Sequence, residues 1–192
     1  MIGAYRIEAY AIASADGMIA DATGVVPPSL QLDADRRHFE DGLDHVAAVV
    51  HGRHSQEIQP KAPLRRRLIL TRRVAALARD PDNANARLWN PAGAPFEGAC
   101  AALGLDGGTI AVIGGPLVYS LFLKLGYDVF HLSRAVNVRL PGGLPLFARE
   151  PFGGEPEAAL KAAGLKAQPA RLLDADVALT DWARPQEETE RW

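Results

Sequence analysis

The sequence predicts an α/β fold: a mixed, mostly parallel central sheet flanked by helices, with antiparallel strands near the C-terminal end. Three observations carry this. Short apolar stretches alternate with helical periodicity along most of the 192 residues. One of them, VAAVV at 46–50, is apolar throughout, as a parallel strand covered on both faces must be. At 109–126, TIAVIGGPLVYSLFLKLG, a β-branched run breaks at Gly114-Gly115 and restarts as a helix. Pro116 sits in its first turn and Gly126 just past its last, which are the positions those residues favour. Such a junction aims backbone N–H groups and a positive helix end at one point, which suits a phosphate; the same pattern also serves an ordinary strand–helix turn.

In chain order, residues 6–14 (RIEAYAIAS) read as a first strand, followed by a long Gly/Pro loop, ADGMIADATGVVPPS, of the length and composition of a mobile functional segment. A helix over 32–45, a strand over 46–51 and a short helix over 52–58 follow. A loop at 60–63 leads to a strand at 67–71. Residues 74–88 are ambiguous, and 87–89 read as a short strand. A helix at 96–105 precedes the opening junction. A strand at 127–135, an irregular turn at 141–147 (PGGLPLF), a short helix at 155–164 and one or two strands at 171–182 complete the chain. No linker divides it, so one domain is expected over 1–183, with 184–192 (RPQEETERW) as a polar tail.

Composition narrows the function. Hydrophobic residues make up 48% and charged residues 23%, as in soluble globular chains, and the net charge of −2 gives no general attraction to nucleic acid or anionic membrane. No apolar run approaches the roughly 20 residues that span a bilayer, and the start of the chain lacks a signal-peptide pattern, so a cytoplasmic location is expected. Cys100 is alone, which excludes an internal disulfide, and its alanine-rich surroundings suit a small core residue. The five histidines show no HxH or HExxH spacing, and no metal site is expected. The expected partner is a small-molecule substrate, for a monomer or homodimer.

The first helix carries an anomaly. At 100° per residue, Leu32, Phe39, Leu43 and Val46 form the core stripe, and Asp33, Asp41 and Asp44 fall on the far side. Asp35 lies at the margin of the apolar stripe, where an ionised carboxylate is costly unless paired. Two readings stand: a first-turn acid favoured by the helix dipole, with Asp33 as N-cap, or a carboxylate in a cleft gripping an amidine-like ligand edge through two charge-assisted hydrogen bonds.

Basic and hydroxyl residues collect after two strands, as Arg53-His54-Ser55 and Thr71-Arg72-Arg73. Ligands of open α/β sheets sit beyond the carboxyl ends of the strands, so these groups converge on the edge that carries Gly114 and Gly115. That suits a phosphate-bearing nucleotide. Arg65, Arg66 and Arg67 precede their strand at the opposite end, from where one could reach a substrate carboxylate; charge runs are otherwise solvated.

In this order the segments resemble the dihydrofolate reductase fold family from about Tyr5 to Trp182. AIASADGMIAD resembles the first strand and substrate-covering loop. LDADRRHFE resembles the helix whose Asp holds the pterin ring and promotes its protonation, so the resemblance gives that role to Asp35, with Phe39 packing on the ligand. HGRHSQEI resembles the Gly-Arg-x-Thr motif, which implies Arg53 at the cofactor 2′-phosphate and Ser55 at the pyrophosphate. Arg65 aligns with the arginine that holds the folate tail. LTR at 70–72 aligns with the segment over the adenine ribose, and IGGPLVY with Ile-Gly-Gly-x-x-x-Tyr, placing Tyr119 beside the nicotinamide. Ser133 in HLSRA aligns with the threonine that supports the catalytic Asp. The resemblance further implies substrate contact at Ile12, and cofactor contacts at Ala13, Ile19, Gly52, His54, Thr71, Arg72, Gly114, Gly115, Pro116, Leu117 and Val118.

Two features depart from that pattern: Pro27-Pro28-Ser29 stands where Pro-Trp is usual, and Leu117 where Arg is frequent. SADGMIAD and PGGLPLF look more like the related reductase domain of bacterial riboflavin biosynthesis, which usually lacks the helix Asp. What the resemblance implies is an NADPH-dependent reductase that transfers hydride to an imine carbon of a dihydropterin, with the loop at 17–23 closing over the nicotinamide. The alternatives are a riboflavin-type reductase of a ribosylamino-pyrimidine and a non-catalytic nucleotide-binding module.

Overall fold

The computed structural model describes residues 1–55, 60–148 and 155–185. The elements, in order, are β1 (Tyr5–Ser14), β2 (Met18–Ala20), α1 (Asp33–Leu43), β3 (Ala48–Gly52), β4 (Arg67–Leu70), β5 (Leu77–Arg79), β6 (Ala86–Trp89), α2 (Phe96–Ala102), β7 (Gly108–Val112), α3 (Pro116–Leu125), β8 (Val129–Ala135), β9 (Leu144–Pro145), α4 (Pro156–Ala162), β10 (Lys166–Ala167), β11 (Arg171–Leu172) and β12 (Val177–Ala183). Of the helix expected over 52–58, Gly52 instead ends β3 and 53–55 form a turn, while 56–58 lie outside the described residues, as does most of the expected tail.

The main sheet runs β10-β12-β8-β1-β7-β3-β4-β6-β5, with β11 paired to β12. Its middle, from β8 to β6, is parallel, and β10, β11 and β12 join antiparallel at one edge. The expected mixed, mostly parallel sheet with antiparallel strands late in the chain is what the structure has, and one further antiparallel pair stands at the other edge. There β5 runs antiparallel to β6, from within the stretch left ambiguous.

Strand alternation sorts the two faces. Ile7, Ala9, Ala13, Val50, Ile110 and Val112 join α2, α3 and α4 in the larger core, while Tyr10, Val49 and Ala111 meet Leu43, Phe39 and Val46 of α1 and its exit on the other face. α1 alone covers little of a sheet this wide. The remainder of that face, around Ile12, Ile113 and Ser133, is left to line a cleft. Cys100 is fully buried, and burial pushes its thiol up to about 12, in keeping with a core residue.

α1 begins at Asp33 with Leu32 in the cap position and no side-chain cap. Asp33 is therefore not the N-cap; its carboxylate pairs with Arg36 instead, at 2.7 Å. The helix packs unusually close to the sheet at Gly42, where a Cβ would lie 2.5 Å from the Tyr10 ring. The loop after β1 forms a short ribbon, with β2 antiparallel to β9. Asp16 fastens its base: the carboxylate accepts from Ser14 Oγ at 2.5 Å and from the Leu140 N–H at 3.0 Å.

Candidate active site

Between α1, the β2–β9 ribbon and the carboxyl ends of the parallel strands lies a cleft of about 920 Å3, within the usual range for small-ligand sites. Of the residues expected at the site, Ile12, Ile19, Asp35, Phe39, His54, Ser55, Gly114, Gly115, Pro116, Tyr119 and Ser133 line it.

One wall is the end of β7. The Gly52 N–H donates to the Gly114 carbonyl at 2.8 Å, tying the ends of β3 and β7 together. The Gly114–Gly115 peptide is cis, and Gly114 has φ +123°, a conformation few other residues adopt. A Cβ on Gly115 would come within 2.9 Å of Ser55 Oγ, and one on Gly114 within 3.5 Å of the Tyr119 hydroxyl. These glycines keep a strip of backbone bare between two hydroxyl-bearing side chains, a cradle fit for a phosphate or a flat ring. Tyr119 is buried and neutral, held well above its ordinary value by burial and then by Asp35; its hydroxyl donates to the Tyr10 carbonyl at 2.6 Å.

Facing that wall, Asp35 projects from the first turn of α1. Burial raises its carboxyl above the ordinary value, while a hydrogen bond from Ser133, itself 1% exposed, works the other way. A carboxylate held off its ordinary titration point in a concave site marks a functional candidate.

The residues after three strands come together at one edge of the sheet. β7, β3 and β4 are neighbours, so Gly114, Arg53 and Thr71-Arg72 emerge side by side. Arg53 is half-buried, with Nη2 2.9 Å from His54 Nε2; Arg72 is exposed, and Thr71 Oγ1 accepts from the Arg73 N–H. Gly52, Arg53, Thr71 and Arg72 adjoin the cleft without lining it. Ala13 and Val118 are turned into the core, and Leu117 is 65% exposed away from it.

Arg65 requires a correction. It does not line the cleft: its guanidinium donates to the Leu43 carbonyl at 3.2 Å and to Asp44 at 2.7 Å, beyond the C-terminal end of α1. There it edges a separate hollow of about 330 Å3 with Lys61 and Leu64. Nor is its neighbour Arg67 solvated; it is buried, with Nε donating to the Ala62 carbonyl at 3.1 Å. Arg65→Ala is therefore expected to lower stability and leave substrate KM unchanged, as thermal melts and steady-state rates would show.

Tyr10, Arg36, His38 and His131 also line the cleft and were not singled out in the sequence. The signal was present: Tyr10 and His131 stand two residues before Ile12 and Ser133 on their strands, hence on the same face, and His38 stands three after Asp35 on its helix. Among the described residues no group of three or more His, Cys, Asp or Glu is arranged to hold a metal ion, and no helix is long and apolar enough to cross a membrane.

No protein-family model matches the chain, and no curated protein matches it in sequence. Solved structures do. A pyrimidine reductase-like protein from Corynebacterium diphtheriae matches at TM-score 0.63 and 16% identity, over 95% of this chain and 92% of that one. Dihydrofolate reductase from Enterococcus faecalis, complexed with NADP(H), matches at TM-score 0.58 and 14% identity, over 94% and 97%.

The chain has the dihydrofolate reductase-like fold.

The diaminohydroxyphosphoribosylaminopyrimidine deaminase/5-amino-6-(5-phosphoribosylamino)uracil reductase of Thermotoga maritima shares it, at TM-score 0.65 and 16% identity over 94% of this chain. The chain spans 56% of that protein, which is named for two activities. In the dihydrofolate reductase-like fold of this chain, Asp35 and the Gly114–Gly115 wall face each other across the cleft.

Proposed function

We propose that the protein is a nicotinamide-dependent reductase of a pyrimidine-bearing heterocycle, of the ribosylamino-pyrimidine class first and the dihydropterin class second. The observation that carries the reading is the half-buried Asp35, backed by Ser133, opposite a bare glycine wall beside Arg53 and Ser55. A bound NADPH supplies the hydride for reduction of a C=N bond, whose nitrogen takes up a proton.

The chain's own residues do the rest. Asp35 accepts hydrogen bonds from the ring N–H edge and orients the ring. It also favours the protonated imine, the better hydride acceptor. Ser133 fixes the carboxylate. The bare backbone at Gly114 and Gly115 allows a flat ring to approach, while Ile19 and the β2–β9 ribbon restrict water.

The single-ring class is placed first because Arg65, the residue aligned with the folate-tail arginine, is engaged at the far end of α1, and because two of the three structures above are named for pyrimidine reductases. Asp35 itself favours the pterin class. A panel of ribosylamino-pyrimidines and dihydropterins, with NADPH consumption as readout, separates them: turnover on the first alone supports the order given, turnover on dihydrofolate reverses it, and cofactor binding without turnover on any overturns the reductase reading.

Arg53→Ala tests the cofactor. It is expected to weaken NADPH by about 2 kcal/mol, the scale of a charge-assisted contact, and NADH much less. Equal losses in a titration of both would exclude a 2′-phosphate role.

A further inference from the structure

Two buried polar side chains stand behind the turn at 53–55, outside the cleft lining: His51, 2% exposed, and Arg67, 6% exposed. The parallel register pairs Arg67 of β4 with Val49 of β3, two residues before His51, so both side chains leave the same face of the sheet. Arg67 Nη1 lies 3.2 Å from His51 Nε2, and His51 Nδ1 lies 2.8 Å from the Gly52 carbonyl oxygen.

These two contacts fix the tautomer. A guanidinium carries donors only, so His51 Nε2 accepts and the ring proton sits on Nδ1, which donates to the Gly52 carbonyl. Burial holds the imidazole below its ordinary value, in keeping with this neutral form.

The Gly52 carbonyl also closes the turn after β3, accepting from the Ser55 N–H at 3.0 Å. Both lone pairs of that oxygen are then used, one by the imidazole and one by the turn. On the other side of the residue, the Gly52 N–H donates to the Gly114 carbonyl. A Cβ on Gly52 would stand 3.7 Å from both Gly115 N and Ser55 Oγ, so the turn lies directly against the bare glycine wall. Rotating the Gly52–Arg53 peptide would swing Arg53 and Ser55 away from that wall together.

Arg67 also holds the far end of the same connection. Its Nε donates to the Ala62 carbonyl at 3.1 Å. One guanidinium thus links the start and the end of the segment between β3 and β4, which brings His54, Ser55 and Pro60 to the cleft. A pair of apolar side chains would fill this space at lower cost than a buried guanidinium and imidazole. What the polar pair adds is direction, given to one peptide.

We infer that His51 is a positioning residue: locked as its Nδ1–H tautomer by Arg67, it sets the Gly52–Arg53 peptide and so presents Arg53 and Ser55 at the Gly114–Gly115 wall. That this turn holds a nucleotide rests on the proposed reductase reading; the orientation of the peptide by His51 does not.

Two neutral amides divide the roles of the imidazole. Asparagine places its amide near Nδ1 and keeps a donor for the Gly52 carbonyl, whereas glutamine reaches the place of Nε2 and keeps a partner for Arg67 alone. Both His51→Asn and His51→Gln lose ring packing and are expected to melt below the parent. The first readout is exchange of the Ser55 amide hydrogen, followed by NMR without ligand. It is expected to speed up about tenfold in His51→Gln and to stay within about threefold of the parent in His51→Asn, the scale of one hydrogen bond. The second is NADPH affinity from a fluorescence titration, expected to fall about tenfold in His51→Gln alone. Equal exchange in the two variants, or faster exchange in His51→Asn, overturns the proposal and leaves His51 a packing residue, whatever the melting temperatures. The expected exchange with NADPH affinity equal in all three proteins overturns it too, because the turn then does not present the groups that hold the cofactor. The expected exchange with no NADPH binding even by the parent keeps the orientation by His51 and overturns the nicotinamide reading instead.

Discussion

Asp35→Asn is expected to lower turnover by about 10²–10⁴-fold, the range attached to a positioned proton-handling group, with cofactor binding unchanged. Loss of cofactor binding would instead remove Asp35 from the substrate side of the cleft. Stability is expected to move the other way. Burial raises the folded-state value of this carboxyl above that of the unfolded chain, so the native state binds the proton more tightly. Its contribution to stability is full below the unfolded value and is lost as pH rises through the folded one. In its ionised form the carboxylate therefore costs stability, and a neutral isostere that still accepts from Ser133 removes that cost. A melting temperature equal to or above that of the parent, alongside a dead enzyme, is the expected pair of results. A large fall in melting temperature would show that Asp35 holds the fold rather than the ligand.

The second large effect is expected at Gly42. An alanine there gains about 1 kcal/mol in helix propensity. Its Cβ, however, would stand 2.5 Å from the Tyr10 ring. That ring cannot swing aside: it is stacked on His131, and its hydroxyl is tied to Glu8. Overpacking of this kind costs about 1–3 kcal/mol, so the clash outweighs the propensity, and α1 must lift from the sheet. Gly42→Ala is expected to lower the melting temperature by a few degrees and, because Asp35 rides on the same helix, to lower turnover as well. The double variant Gly42→Ala/Tyr10→Ala should recover part of the turnover. A Gly42→Ala protein that melts higher than its parent would mean that the helix sits further from β1 than described.

Much of this was legible in the residues. The Gly114-Gly115 break, the apolar VAAVV strand and Pro116 mark local conformation directly, because each excludes the alternatives by sterics or burial. Asp35 stood out because helical period alone places a charge where the stripe should be apolar. What periodicity could not reveal was pairing across long sequence distances. The antiparallel β5 lies in an ambiguous stretch because three residues carry too little pattern to show direction. The ribbon of β2 and β9 joins two segments that each read as loop. Arg65 and Arg67 read as part of a charge run, solvated unless one of them, Arg65 by alignment, reached a substrate carboxylate; their acceptors, the Leu43 and Ala62 carbonyls and Asp44, become visible only when the chain is folded. The ring contact of His38 with His131 escaped notice for the same reason: neither histidine has a partner near it in sequence.

The place of β1 in the sheet has a consequence for how the chain is made. It precedes the other strands of its sheet along the chain and lies at the centre, between β7 and β8. Its partners begin at Gly108 and Val129. At ribosomal rates of about 5–20 residues per second, β1 waits roughly 5–20 s before its first neighbour is made, with Ile7, Ala9 and Ala13 uncovered and both edges open. The nascent chain cannot close its sheet from the N-terminal end; it must be held soluble until β8 is made. A chain ended between β7 and β8 is therefore expected to aggregate when synthesised, whereas one ended after β12 remains soluble, a contrast that translation in vitro with sedimentation would read directly.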